Sequence, residues 1–361
     1  MKKIATVTFH MAWNYGAILQ TFALQKAIQG LGYESAVWNY DCKKISDCYS
    51  LIDTHRWKNI IKSLLLYRQR AKKDKNFRQF ISKNIQLSED ITKENQEKLA
   101  SEYDAFIVGS DQVWNYRITG GDSAYFLNFA PQHKRLSYAA SLGVHGYPEE
   151  WKQLYREHLQ QFAVLSTREE TGAKVLENLV QHQVNVDIDP VFLISREQWN
   201  AVSAPVEEKR DYIFVYMPGE HCLDFAKELA AKKHMDVVYI AYDISLRHRE
   251  NNLGNTRVDA GPDEFLTLLR EAKYVVTGSF HATAFSLIFH KQFVVEPPPN
   301  DGGRITGILD LVGLSDCIYH GQDVDPWPEI DWQEVDRRIA EMRSESLGHL
   351  RSYIEMAVGQ E

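Results

Sequence analysis

Cysteine is scarce in this chain: Cys42, Cys48, Cys222 and Cys317 are all there is, with no C-x-x-C pair and no His/Cys cluster of zinc spacing. A disulfide-built scaffold is excluded, and the expectation is no metal and free thiols in a cytoplasmic protein. Long apolar runs are missing as well, none approaching the ~20 residues needed to span a bilayer. The opening Met1-Lys2-Lys3 runs straight into Ile4-Ala5-Thr6-Val7-Thr8-Phe9, too short for the apolar core of a leader, and reads as a first strand. Basic excess is absent: 41 Lys and Arg face 49 Asp and Glu, a formal charge of −8, which disfavours a nucleic-acid partner. Neither G-x-G-x-x-G nor G-x-x-x-x-G-K-[ST] occurs, so nicotinamide and P-loop chemistry lose support. Internal repeats and low-complexity runs are lacking too.

What is present is an ordinary globular composition, 44% hydrophobic over 361 residues, long enough for two domains. Short β-branched runs alternate with helical periodicity, the pattern of an α/β fold with mainly parallel sheets. Ile4 to Phe9, a helix whose apolar face carries Ile18, Leu19, Phe22 and Ile28, and Ser35 to Tyr40 make a first β-α-β unit. Strands at Ala105 to Val108 and Arg135 to Ala139 continue it. A second series begins with Tyr212 to Met217 and runs through Val237 to Ala241, Tyr274 to Thr277 and Phe293 to Val295. The expected division is an N-terminal Rossmann-like domain over 1–206, a C-terminal one over 207–330, and a last helix over 331–361 packing back on the first.

One segment stands apart. Between about 54 and 84, Arg56, Lys58, Lys62, Arg68, Arg70, Lys72, Lys73, Lys75, Arg78 and Lys83 face the single acid Asp74. Trp57, Ile60, Ile61, Leu64 and Leu65 recur there at helical spacing, giving one or two amphipathic helices inserted in the N-terminal domain. Two readings stay open: peripheral contact of 56–83 with an anionic membrane surface, or a solvated insertion held to its own domain by Trp57, Ile61 and Leu65.

In open parallel sheets ligands sit beyond the carboxyl ends of the strands, where loops lead into helix N-termini. Three such loops mix small residues with donors: His10 to Gly16, Gly109 to Asn115, and Gly278 to Thr283. In the third, Thr277, Ser279 and Thr283 surround His281, a setting that favours an anion. Asn14, Tyr15 and Gly16, and likewise Ser110 and Asp111, are placed either to meet a ligand or to cap and start the following helix. Arg168 after a strand and Arg304 at a helix start suit a carboxylate or phosphate. Trp114 offers a ring for a sugar, or for packing.

The series Ile4 to His10 with Asn14-Tyr15-Gly16-Ala17, Phe106 to Asn115, Arg135 to Ser141, Arg168-Glu169, Asp189-Pro190, and Gly278 to Ser286 resembles, in order, the polysaccharide pyruvyl transferase family. The resemblance covers roughly Met1 to Leu314. It implies two Rossmann-like domains facing across a cleft, the architecture called GT-B. It also implies transfer of pyruvate from phosphoenolpyruvate to two hydroxyls of a sugar in a surface-polysaccharide or lipid-linked precursor, making a cyclic ketal and releasing phosphate. Phosphoenolpyruvate is a co-substrate, and no cofactor is called for.

On that resemblance His281 is the general acid/base. Arg168, Thr277, Ser279, Thr283 and Arg304 form the donor side, and Asn14, Tyr15, Gly16, Ser110, Asp111 and Trp114 the acceptor side. Where a relative carries an arginine two positions before the histidine, this chain has Ser279, so the donor's positive charge must come from elsewhere. The expected location is the cytoplasm, at the inner face of the membrane for a lipid-linked acceptor. The alternatives are a GT-B glycosyltransferase with a nucleotide-sugar donor and a non-catalytic glycan-binding relative. Acceptor identity and oligomeric state are left open by the sequence.

Overall fold

Short apolar runs, each followed by a helix, assemble here into parallel sheets covered by helices on their faces. The computed structural model describes residues 1–52, 57–92, 94–205, 210–241, 255–299, 303–325, 327 and 329–359. The first sheet contains β1 (Lys3–Val7), β2 (Glu34–Tyr40), β3 (Leu87–Ile91), β4 (Ala105–Val108) and β5 (Arg135–Ser137) in the order β3-β2-β1-β4-β5, every pair parallel. Bridges Leu136–Val164 and Ala140–Thr167 carry it toward the short pair β6 (Ser166–Thr167) and β7 (Asn185–Val186). The second sheet contains β8 (Tyr212–Tyr216), β9 (Asp236–Ile240), β10 (Asn255–Arg257), β11 (Tyr274–Thr277) and β12 (Gln292–Val295) in the order β10-β9-β8-β11-β12, again all parallel.

Both sheets therefore start in the middle, grow to one side, and reverse. The reversal falls between β1 and β4 in the first and between β8 and β11 in the second. Those are the topological switch points, where ligands of such sheets bind. Two strands escaped the sequence pattern, β3 and β10. Both are short edge strands with little apolar signal, Leu-Ser-Glu-Asp-Ile and Asn-Thr-Arg, as suits an edge protected from further pairing.

The chain divides into two units, Met1–Ser50 with Ile81–Ile194 and Ala340–Glu361, and Leu51–Phe80 with Ser195–Ile339. The boundary expected at 206/207 falls among residues 206–209, outside the described residues, and the division lies earlier. The helix Arg196–Val202 already belongs to the second unit, where Trp199 meets the Phe285 ring edge-on at 4.9 Å and Arg196 donates to the Ile288 carbonyl. The basic segment also changes sides. Lys72 Nζ pairs with the Asp259 carboxylate at 2.7 Å and Asn76 Nδ2 donates to the Asp259 carbonyl at 2.8 Å, so the segment is tied to the second unit. Arg56 lies outside the described residues.

The long helix Trp332–Val358 ends on the first unit, where Leu350, Tyr353, Ile354 and Ala357 pack with Ile4, Leu24 and Ile28. On the opposite face of that sheet Trp38 stacks on Phe129 and meets Phe106 and Tyr103 edge-on, a buried aromatic cluster that anchors β2 to β4. Among the described residues no helix is long and apolar enough to cross a membrane.

Candidate active site

At the switch point of the second sheet the backbones after β8, β11 and β12 converge on Gly278. A Cβ there would lie 2.6 Å from the Met217 carbonyl oxygen and 2.8 Å from that of Glu296, so only glycine permits this approach. The next residue, Ser279, caps the helix Phe280–Ile288, its Oγ accepting from the Ala282 N–H. A hydroxyl accepting in this way keeps its own O–H as a donor.

The two threonines of this loop hold the backbone instead of facing a ligand. Thr277 Oγ1 donates to the Tyr216 carbonyl at 2.6 Å and accepts from the Ser279 N–H at 3.0 Å. Thr283 Oγ1 donates to the Ser279 carbonyl at 2.9 Å. The donor-side reading of Thr277 and Thr283 is corrected accordingly: they shape the turn that presents Ser279 and His281.

His281 lies in the first helical turn, largely buried, with Phe280 beside it; the rings meet edge to face at 5.2 Å. Arg304, in the first turn of the helix Gly303–Val312, places its guanidinium 5.9 Å from the Phe280 ring centroid. One aromatic ring thus lies against both the imidazole and the guanidinium. A cation, an imidazole and a helix N-terminus with its partial positive charge are grouped at one point, a combination suited to an anionic substrate.

Two residues at this edge had no place in the sequence reading. Glu296, just past β12, takes His221 Nδ1 at 2.7 Å on Oε1 and the Cys222 N–H at 2.8 Å on Oε2. Its carboxylate thereby caps the N-terminus of the helix Glu220–Lys233, and the hydrogen bond to Glu296 raises the pKa of exposed His221. A Cβ on Gly219 would fall 2.1 Å from the Glu296 carboxyl carbon. The signal lay in Pro218-Gly219 after the buried β8 strand, a fourth strand-to-helix loop at the same switch point. That helix end faces a carboxylate, whereas the Phe280–Ile288 end is capped by the neutral hydroxyl of Ser279.

The first unit's switch point is built differently. Gln20 Nε2 donates to Thr8 Oγ1 at 2.9 Å, Gln20 Oε1 accepts from the Ser110 N–H at 3.1 Å, and Ser110 Oγ donates to the Ala139 carbonyl at 2.6 Å. Gly109 adopts φ +112°, with no room for a Cβ beside the Tyr138 carbonyl. This network stitches the loops after β1 and β4 together, and Ser110 is fully buried within it.

The acceptor set is therefore largely structural. Asn14 Oδ1 caps the helix Tyr15–Gly30 by accepting from the Ala17 N–H at 3.2 Å, and Tyr15 and Gly16 are buried in its first turn. Trp114 lies in the core, its Nε1 donating to the Tyr125 carbonyl at 3.1 Å and its ring edge-on to Phe162, so it is no platform for a sugar. Asp111 remains, a carboxylate on the loop after β4 with φ 65° and Oδ1 accepting from the Gln112 N–H.

Arg168 is likewise redirected. It belongs to the first unit, buried, with Nη1 on the Asp189 carboxylate at 2.5 Å and Nε 3.7 Å from Glu169. Burial works against its charge, but Asp189, Glu169 and Asp111 outweigh that and hold its pKa above the ordinary value. Three carboxylates around one guanidinium leave this edge acidic, so Arg168 locks the loop and is not an anion ligand. After β1, His10 is buried, with Nδ1 3.2 Å from the Thr8 carbonyl and Nε2 3.0 Å from Asn39 Oδ1; burial pushes its pKa down.

Comparison with known proteins bears first on the fold. A Listeria monocytogenes protein assigned as a UDP-N-acetylglucosamine 2-epimerase is 11% identical, with 99% of this chain and 90% of that one aligned at a TM-score of 0.52. S. aureus MnaA, solved with UDP, is 13% identical, with 99% and 91% aligned at a TM-score of 0.50. These likenesses are of fold, and the fold is of the GT-B class with two Rossmann-like units. No curated protein matches the chain. The family model of polysaccharide pyruvyl transferases matches residues 14–296, a span that starts after β1, includes the second sheet's switch point and His281, and stops short of Arg304; the chain belongs to that family.

Proposed function

We propose that the protein transfers the pyruvyl group of phosphoenolpyruvate to two hydroxyls of a sugar in a surface-polysaccharide or lipid-linked precursor, forming a cyclic ketal and releasing phosphate. The observation that carries this reading is the grouping of His281, Phe280 and Arg304 at the second sheet's switch point. Phosphoenolpyruvate carries a phosphate and a carboxylate. The Arg304 guanidinium fits either bidentately, and the helix N-terminus beside Ser279 adds N–H donors.

The chemistry begins with a proton. His281 delivers it to the methylene carbon of phosphoenolpyruvate, making the central carbon electrophilic, and the first sugar hydroxyl bonds there as it loses its own proton. The bond from that carbon to the phosphate oxygen then breaks, with Arg304 stabilising the departing charge. The second hydroxyl adds to the same carbon and gives up its proton. One of the two hydroxyl protons replaces the one His281 gave to carbon, and the other leaves on phosphate. Phe280 restricts the imidazole to one orientation. On the first unit, Asp111 is the residue we assign to a sugar hydroxyl. The reaction is assigned to the cytoplasm, in keeping with the unpaired thiols of Cys42, Cys48, Cys222 and Cys317.

Ligand-induced stabilisation tests the donor. A substrate at one hundred times its Kd stabilises the folded state by about 2.7 kcal/mol, so phosphoenolpyruvate should raise Tm in the intact protein and much less in Arg304→Ala. Stabilisation by UDP with none by phosphoenolpyruvate would overturn the reading in favour of a nucleotide-sugar glycosyltransferase.

A further inference from the structure

The helix Trp57–Leu65 is the most apolar exposed surface among the described residues. Trp57 is 67% exposed, Ile61 50%, Leu64 57% and Leu65 81%. At 100° per residue these four positions fall on one face, while Ser63, on the opposite side, is buried. The expectation that Trp57, Ile61 and Leu65 hold this segment to its own domain is therefore reversed: Ser63 faces inward and the apolar stripe faces out. Soluble chains rarely display such a stripe without a binding role.

Charge says what covers it. Lys58 and Lys62 belong to the same nine residues, and the next helix, Tyr67–Asn84, carries exposed Arg68 and Lys75 in a chain whose overall charge is negative. A second copy would bring this basic segment against its own like. An anionic lipid surface complements both properties at once, apolar side chains entering the acyl boundary and Lys and Arg meeting headgroups. We infer that Trp57–Leu65 is an interfacial helix that docks the protein, in the plane of the membrane, on an anionic bilayer. This moves the contact away from Lys72 and Lys73, the first paired with Asp259 and the second buried. The inference stands independently of the pyruvyl transfer reading, since it concerns a different surface and a different measurement.

Flotation of the full chain with phosphatidylglycerol/phosphatidylcholine vesicles tests it. The protein should float with these vesicles and not with phosphatidylcholine alone, and added salt should weaken binding. Ile61→Ser/Leu65→Ser should lower the bound fraction about tenfold, and Arg68→Glu/Lys75→Glu should lower it as well, both at unchanged Tm because the side chains are exposed. Lack of flotation, equal flotation of the variants, or equal binding to neutral vesicles would overturn the proposal. So would concentration-dependent self-association that Ile61→Ser/Leu65→Ser abolishes, which would assign the stripe to a second copy.

Discussion

The Arg304 guanidinium lies 5.9 Å from the centroid of the Phe280 ring, the ring that also meets His281. Two residues distant in sequence are thereby brought to one helix N-terminus, and on the proposed reading Arg304 is the cation that Ser279 does not supply. A hydrogen bond to a charged group contributes about 1.5–3 kcal/mol. Arg304→Ala should raise KM for phosphoenolpyruvate by about one to two orders of magnitude, and Arg304→Lys, keeping the charge without the fork, should fall between. Steady-state phosphate release at varied phosphoenolpyruvate checks this.

Arg168 should behave in the opposite way. Removing one partner of a buried ion pair costs about 3–5 kcal/mol, and here three carboxylates would be left behind. Arg168→Ala should lose stability on that scale in urea unfolding, with no selective change in KM for phosphoenolpyruvate in whatever fraction folds. A stable variant with a raised KM would restore Arg168 to the donor site.

Trp114 gives a parallel case. Truncation of a fully buried large aromatic costs about 3–5 kcal/mol, so Trp114→Ala should be strongly destabilised and Trp114→Phe much less so. A stable Trp114→Ala with weakened glycan binding would contradict its place in the core.

The pH dependence of stability should carry the mark of His10. Burial favours its neutral ring, so the unfolded chain, with an ordinary histidine pKa of 6.5, binds a proton more readily than the folded one. Its contribution is full above 6.5 and is lost as pH falls through the depressed folded value. Urea midpoints should therefore decline in mildly acidic buffer for the intact protein, and His10→Gln should flatten that decline.

The alternation of apolar runs and helical periodicity made most of both sheets legible, because the central strands β1, β4, β8 and β11 are buried on both faces and must be apolar. The edge strands β3 and β10 were not, since their pairing depends on a neighbour and their side chains are polar. Loops at switch points could be located for the same reason, but side-chain roles within them could not. Ser, Thr, Asn and Trp serve equally as ligands or as caps and core, and only the hydrogen bonds of Thr277, Thr283, Asn14 and Trp114 distinguish the two. Glu296 was hidden because its partners His221 and Cys222 lie in another strand-to-helix loop. The orientation of Trp57–Leu65 was hidden for a related reason: periodicity marks an apolar face without saying which way it points.

Phosphate release from phosphoenolpyruvate with a panel of free and lipid-linked galactosides, comparing the intact protein with His281→Ala, tests the central claim most directly. Acceptor-dependent release should fall by about two to four orders of magnitude in the variant, and mass spectrometry of the product should show one added carboxyl-bearing ketal. Release at an undiminished rate from His281→Ala, or a product without the ketal, would contradict the assignment.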